Sequence, residues 1–433
     1  MQDARSVAST NIAKVFRRFP ELDPPSLEAI ELEPRDAALA RAIERSARRR
    51  WLTIAAVVEH ASNRPFAKLE APVAASLLVG ASQLLLFDRL PDHAVIDCAV
   101  EWTRHGGKRP RATGFVNAVL RKIVKLRGSL EESGELGCAS HLPRSDGSWW
   151  HLTEEVFSGT APQTGFANKV WERLNEQLGN DMALPFAYNA MTEPPLIVTV
   201  QSGGILPQVV TPHETTGFGV VPPQQDVKSL LAQSPELRVQ DPTSAAALEM
   251  LCSLEQTPQR ILDLCAGRGT KTRQLREMFP NAMIGATEPN DMRRAFLQEV
   301  ADTLNVSVYE PGEDGPGEPF DLVVADVPCS NSGVFARRPE AKYRYDKKHI
   351  ASLVELQRSI VVDGIAVLNK GGYLLYATCS IDREENGSQV AWMKSKRQLS
   401  LIDQTIAMPS GAPKSDPAQW HDGGFAALLQ RKG

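Results

Sequence analysis

From about residue 245 to residue 433 the chain repeats one pattern: a short apolar run, a glycine turn, then a helical stretch. Arg260–Leu264 reads as a strand, followed by Cys265-Ala266-Gly267-Arg268-Gly269-Thr270-Lys271-Thr272 and a helix through Met278. Ala282–Thr287 reads as a second strand, ending at Glu288, with a helix from Asn290. Strands alternating with helices in this way predict an α/β, Rossmann-like, doubly wound and mostly parallel sheet. Sheets of this kind bind ligands in the crevice beyond the carboxyl ends of their strands.

Two cysteines fall where that crevice is expected. Asp326-Val327-Pro328-Cys329-Ser330 follows the apolar run Leu322 to Ala325, and Thr378-Cys379-Ser380 follows Tyr373 to Ala377. If the two runs are neighbouring strands, both thiols emerge at one sheet edge, which suits covalent chemistry on an electrophile. A pyrimidine is one such target. Its carbon 5 is a poor nucleophile until a thiolate adds at carbon 6 and converts the ring to an enamine that attacks an activated methyl group. Asp326 is placed to hold the ring edge, and a cation such as Lys271 would favour the thiolate. A lone cysteine is more often an inert core residue; the pair beside a glycine loop argues otherwise. That loop lets backbone N–H groups approach a ligand, and Glu288 at the second strand's end suits a ribose diol. The loop fits neither GxGxxG nor GxxxxGK[ST], so a P-loop is disfavoured despite Lys271-Thr272.

The rest of the chain differs in character. Residues 36–127 carry apolar positions at helical spacing, through Ala55-Ala56-Val57-Val58 and Ala75-Ser76-Leu77-Leu78-Val79, with further helices at Ala94–Trp102 and Gly114–Val124. We expect an all-α domain over 1–128, a linker or surface insertion over 129–160 and a small α+β domain over 161–244, before the domain at 245–433. Within 161–244, Ala167–Leu178 reads as a helix and Leu196–Val200 as a strand. Residues 1–127 hold 21 Lys and Arg against 14 Asp and Glu, a balance of +7 in a chain of net charge −4, which leaves about −11 for the remainder. Arg48-Arg49-Arg50 and Arg104-His105-Gly106-Gly107-Lys108-Arg109-Pro110-Arg111 are the densest basic clusters, suited to phosphate contacts or simply to solvated surface. No apolar run reaches membrane-spanning length, and the start Met1-Gln2-Asp3-Ala4-Arg5 has no secretory core, so we expect a cytoplasmic protein. The cysteines at 98, 138, 252, 265, 329 and 379 include no CxxC pair, so free thiols and no metal are expected. Nothing calls for an obligate partner, and a monomer is expected.

These residues also carry a family resemblance. Asp326-Val327-Pro328-Cys329-Ser330-Asn331-Ser332-Gly333, and Tyr376-Ala377-Thr378-Cys379-Ser380-Ile381 with Glu384-Glu385-Asn386, resemble motifs IV and VI of the RNA cytosine-C5 methyltransferases, the NOL1/NOP2/Sun family. Asp263-Leu264-Cys265-Ala266 with Gly269 and Lys271-Thr272 resembles motif I, and Val239-Gln240-Asp241-Pro242-Thr243-Ser244 and Asp422-Gly423-Gly424-Phe425-Ala426-Ala427-Leu428 also fit. His93-Ala94-Val95 and Gly114-Phe115-Val116-Asn117-Ala118-Val119-Leu120-Arg121 resemble the NusB-like domain of the RsmB/Sun subfamily. The resemblance implies a methyltransferase that uses S-adenosylmethionine on RNA cytosine, most fittingly small-subunit (16S) rRNA. It implies Cys379 as the nucleophile at C6, Cys329 as the residue that assists release, and Asp326 beside the cytosine edge and the methionine end of the cofactor. Cys265, Ala266, Gly267, Arg268, Gly269, Thr270, Lys271 and Glu288 would hold that cofactor, with Glu310 as the candidate for the acid after the third strand.

The chain departs from the family pattern in places. Gly267-Arg268-Gly269-Thr270-Lys271 stands for the usual Ala-Pro-Gly-Gly-Lys, so Arg268 would crowd the loop or add charge. Glu288 stands for the usual Asp, and the usual His-Pro-x-Trp segment is not evident. The rival readings are an RNA-binding assembly or antitermination factor with a vestigial fold, or a methyltransferase acting on tRNA or large-subunit rRNA.

Overall fold

Successive side chains of the run 322–325 enter opposite hydrophobic cores, as a strand buried on both faces requires. Leu322 and Val324 join Ile261, Ile284, Leu375 and Leu428 in one core, while Val323 and Ala325 join Leu262, Leu374, Tyr376 and Leu429 in the other. These are features of a computed structural model, which describes residues 3–22, 32–88, 90–200, 204–310 and 318–432.

The central sheet has seven strands: β1 (Arg260–Asp263), β2 (Met283–Thr287), β3 (Ser307–Tyr309), β4 (Phe320–Asp326), β5 (Leu368–Thr378), β6 (Leu399–Ala407) and β7 (Gly424–Arg431). Their order is β3-β2-β1-β4-β5-β7-β6. The first five run parallel, and β7 lies antiparallel to both β5 and β6. Helices α1 (Thr270–Met278) and α2 (Asp291–Leu304) pack Leu275 and Leu297 into the first core. Helices α3 (Lys347–Ala366) and α4 (Gly387–Lys396) pack Val361, Val390 and Met393 into the second. The sheet is therefore doubly wound, as the alternation in the sequence predicts. β4 and β5 are immediate neighbours, with Asp326 opposite Ala377.

By contact density the chain forms two units. The first comprises residues 1–193, 335–344 and 412–414; the second comprises 194–334, 345–411 and 415–433. In the second unit, besides the seven-stranded sheet, strands at Leu196–Val200, Thr211–Pro212, Phe218–Val221 and Leu237–Val239 make a small antiparallel sheet.

The first unit is mainly helical, with helices at Ala4–Val15, Pro34–Arg49, Trp51–Ser62, Ala71–Leu86, Asp92–Arg104 and Thr113–Leu126. Ala71–Leu86 is apolar almost all round and lies buried among the others, as a central helix does. The stretch expected to be a linker or surface insertion holds a three-stranded antiparallel sheet of Ser129–Glu131, His141–Pro143 and Trp149–His151. The reason lies in the few apolar residues set among its Gly and Ser. Leu142, Leu152 and Phe157 enter the helical core, and the Trp150 indole donates to the Leu85 carbonyl at 2.8 Å.

The basic triplet also departs from its sequence reading. Arg48, Arg49 and Arg50 are buried rather than presented to phosphate or water. Arg48 pairs with Glu44 at 2.7 Å, and Arg50 donates to the carbonyls of Pro143 and Gln163 at 2.9 and 2.6 Å. The triplet crosses from one helix to the next at Arg50, and the junction turns its side chains inward where backbone carbonyls await. The basic stretch 104–111 is exposed apart from Gly107, but Arg104 pairs with Glu101 and Arg109 with Glu70.

Candidate active site

The parallel pairing of β4 with β5 carries Asp326 and Thr378 to the same edge, and the chain beyond each strand delivers a cysteine there. The Sγ atoms of Cys329 and Cys379 stand 3.0 Å apart, within hydrogen-bond contact for sulfur. The Cys379 thiol also donates to Asn331 Oδ1 at 3.3 Å, and the Asn331 amide donates to the Cys329 carbonyl at 3.0 Å. The Gly333 N–H donates to the Cys379 carbonyl at 3.0 Å. A Cβ at Gly333 would stand 2.5 Å from the Gly423 backbone and 2.9 Å from the Cys379 oxygen, so only glycine permits this approach.

The two thiols differ in burial. Cys329 is buried, and its thiol pKa is pushed well up, first by its hydrogen bond with Cys379, then by burial, then by negative charge at Cys379 and Glu385. Cys329 therefore keeps its proton and can present it to the sulfur of Cys379, which is less buried. The sequence does not distinguish the pair in this way.

Lys271, from the first turn of α1, donates to Asp326 Oδ2 at 2.8 Å and to Ser244 Oγ at 3.0 Å. Burial works against its charge, yet the charge and hydrogen bond of Asp326, with the charges of Asp263 and Cys379, together lift the ammonium above its ordinary range. It is also near enough to Cys379 for their charges to interact. Lys271, Asp326, Cys329 and Cys379 thus lie together at the sheet edge.

The loop 265–270 lies between β1 and α1. Gly267 and Gly269 have φ of 60° and 83°, and the position a Gly267 Cβ would occupy is open. Cys265 is half-buried, with its thiol pKa driven far up, mainly by burial, so it is no nucleophile. Ala266 is buried and donates its N–H to the Thr287 carbonyl at 3.0 Å. The Arg268 guanidinium lies over the Phe296 ring of α2 at 4.5 Å, so its stem is turned toward that helix. Glu288, at the end of β2, is buried and accepts from the Asn290 N–H at 2.9 Å. Arg294 connects it to the next strand, donating to the Glu288 carbonyl at 3.0 Å and pairing with Glu310 at 3.4 Å. Glu310 follows β3 at the surface.

Asp263 ends β1 fully buried and has no role in the residue-based reading. Thr272 donates to its Oδ2 at 2.6 Å, while its Oδ1 has no hydrogen-bond partner among the described residues. Burial raises its pKa to about 6, assisted by the charges of Asp326 and Glu288 and opposed by Thr272 and Lys271. Its place inside the motif, next to the loop, was the available signal.

Comparison with known proteins gives the family. The family model described as 16S rRNA methyltransferase RsmB/F matches residues 251–425, and the NusB family model matches residues 3–125. Ribosomal RNA small subunit methyltransferase B of Sodalis glossinidius is 30% identical over 356 residues, covering 79% of this chain and 77% of that protein. This chain belongs to the RsmB/F family of 16S rRNA methyltransferases. A second family member, ribosomal RNA small subunit methyltransferase B of Vibrio cholerae, is 29% identical over 422 residues, covering 93% of this chain and 91% of its own. The crystal structure of PH0851 shares the fold with a TM-score of 0.72 at 19% identity, over 100% of this chain and 99% of its own. As an RsmB/F member the chain is an RNA methyltransferase with S-adenosylmethionine as its cofactor. The open glycine loop and the orphaned buried oxygen of Asp263 fit a bound polar group at the β1 edge. Among the described residues no helix is long and apolar enough to cross a membrane, and no cluster of His, Cys, Asp or Glu could hold a metal.

Proposed function

We propose that this RNA methyltransferase modifies carbon 5 of a cytosine in small-subunit rRNA through a covalent adduct. The observation that carries the reading is the contact between Cys329 and Cys379 at the sheet edge, beside the Lys271–Asp326 pair. Methylation at a base nitrogen or a ribose oxygen needs no thiol, and two thiols in contact would have no task there.

The Cys379 thiolate adds to C6, and the C5=C6 electrons shift into the ring so that C5 becomes nucleophilic. The cofactor, when bound, supplies the activated methyl group that C5 takes. Asp326 faces the amino edge of the cytosine as a hydrogen-bond acceptor, and Lys271 orients that carboxylate through its 2.8 Å hydrogen bond. Once methylated, C5 still carries a proton. Once Cys379 is bonded to C6, the Cys329 thiol gives its proton to solvent water; the resulting thiolate takes the C5 proton, the electrons of that C–H bond re-form C5=C6, and the Cys379 sulfur leaves as a thiolate. The deep burial of Cys329 and its raised thiol pKa support this division of labour, since Cys329 stays a thiol while the more exposed Cys379 attacks. Cys265, Ala266, Gly267, Arg268, Gly269, Thr270, Lys271, Glu288 and Glu310 are assigned to the cofactor, Glu288 to its ribose. The target base leaves its stack to reach the thiol. The NusB-like residues and the small sheet of 196–239 hold the surrounding RNA.

Bisulfite sequencing of 16S rRNA from cells with and without this gene tests the reading. A cytosine protected only in the presence of the gene supports it. Unchanged protection throughout 16S rRNA contradicts it, and protection lost from tRNA or large-subunit rRNA would move the target.

A further inference from the structure

Each cysteine of the pair is followed by a serine, and both serines turn to one buried carboxylate. Glu385 is fully buried, six residues beyond Cys379, just before α4. Its Oε2 accepts from Ser330 Oγ at 2.5 Å and from Ser380 Oγ at 2.6 Å. Its Oε1 accepts from the Ser330 backbone N–H at 2.9 Å and from Gln357 Nε2 at 2.9 Å. Gln357 belongs to α3 and donates as well to the Pro328 carbonyl at 3.0 Å. The Tyr376 hydroxyl, from β5, donates to the Glu385 carbonyl at 2.6 Å. The three serine hydroxyls of the two loops complete the network, with Ser380 Oγ 3.2 Å from Ser330 Oγ and 2.9 Å from Ser332 Oγ.

We infer that Glu385 is a positioning residue that fixes the two thiols relative to each other and thereby governs release of the methylated product. Its carboxylate makes a donor–acceptor set with both loops that a neutral side chain of similar size reproduces only in part, because an ionised carboxylate accepts at four sites and donates at none. Burial raises the Glu385 pKa and the hydrogen bonds from Ser330 and Ser380 oppose that rise, so the carboxylate depends on these donors. The side chain touches neither sulfur. It acts on the residue next to each, so a shift of either serine moves the adjoining thiol. Attack at C6 uses one sulfur and tolerates such a shift. Release needs Cys329 in register with the C5 proton while Cys379 is bonded to C6, so it depends on the separation of the two. The inference rests on the covalent mechanism proposed above.

The test compares wild type with Glu385→Gln, Ser330→Ala and Cys329→Ala, all as full-length protein with 16S rRNA and S-adenosylmethionine. Three quantities are read: product per enzyme, the fraction of enzyme in a denaturation-resistant RNA adduct, and the melting temperature. Glu385→Gln should lower turnover at least tenfold while raising the ratio of adduct to product several-fold above wild type. Ser330→Ala, which keeps the backbone donor and removes one hydroxyl, should change the ratio in the same direction by less. It carries the test alone if Glu385→Gln does not fold. If both variants lose activity only in step with melting temperature and keep the wild-type ratio, Glu385 is a structural residue and the inference is overturned. If Cys329→Ala itself traps no adduct, the covalent mechanism fails and this inference falls with it. Trapping by Cys329→Ala with an unchanged ratio in the other two variants overturns the inference alone.

Discussion

Lys271 and Asp326 form a 2.8 Å ion pair across the β1–β4 edge, although 55 residues separate them in the chain. One comes from the first turn after the glycine loop and the other from the end of β4, so the pair ties the glycine-loop side of the sheet edge to the cysteine side. Lys271→Met should therefore damage chemistry more than folding. Asp326 is 34% exposed, so water screens much of the loss, and stability should fall by about 1 kcal/mol or less. Methyl transfer should fall on the order of 100-fold, as when one preorganised charge is removed from an active site. Single-turnover assays beside thermal melts check this; equal losses in both would make the pair structural.

Asp263 gives the protein a pH dependence of defined sign. Its pKa is raised to about 6 by burial, so the folded chain binds its proton more tightly than the unfolded chain does. The associated stability is fully present below the unfolded value of about 3.9 and is lost as pH rises through about 6, a difference of about 3 kcal/mol. Asp263→Asn should thus melt higher than wild type at pH 7–8 without cofactor, with the gap closing toward pH 4. Parallel melting curves across that range would count against a raised pKa.

Glu288 accepts from the Asn290 N–H and is otherwise directed to the cofactor in our reading. Glu288→Ala should weaken S-adenosylmethionine binding about 10- to 100-fold, the range for loss of one or two hydrogen bonds to a charged acceptor. RNA binding should stay the same. Calorimetric titration of each ligand separates the two, and equal loss of both would refute the assignment.

In the first unit, Arg109 is engaged by Glu70, so the exposed Lys108 and Arg111 are the better candidates for phosphate contacts. Charge reversal at both should weaken RNA binding and flatten the dependence of log affinity on log salt by about 1 to 2 units. An unchanged slope would mean the loop is solvated surface.

How much of this was legible follows from what each residue depends on. The strands before Cys329 and Cys379 were legible because burial on both faces of a parallel sheet leaves an uninterrupted apolar run, and the neighbours β4 and β5 then place both thiols together. Lys271 and Glu288 were legible from the turns that follow β1 and β2. Glu385 was not. In the sequence it is one of two adjacent acids after a turn, and its burial comes from serines 55 and 5 residues away and from Gln357 on α3. Arg48-Arg49-Arg50 misled for the opposite reason, since the acceptors of Arg50 include the backbone carbonyls of Pro143 and Gln163, which no residue type announces.

The central claim is that Cys379 attacks and Cys329 releases. It is tested most directly by incubating Cys329→Ala, Cys379→Ala and the double variant with 16S rRNA and S-adenosylmethionine, then resolving them on a denaturing gel. Cys329→Ala should give a slow-migrating protein–RNA band that nuclease removes, and the other two should give none. A covalent band from Cys379→Ala, or no band from Cys329→Ala with turnover intact, would contradict the assignment.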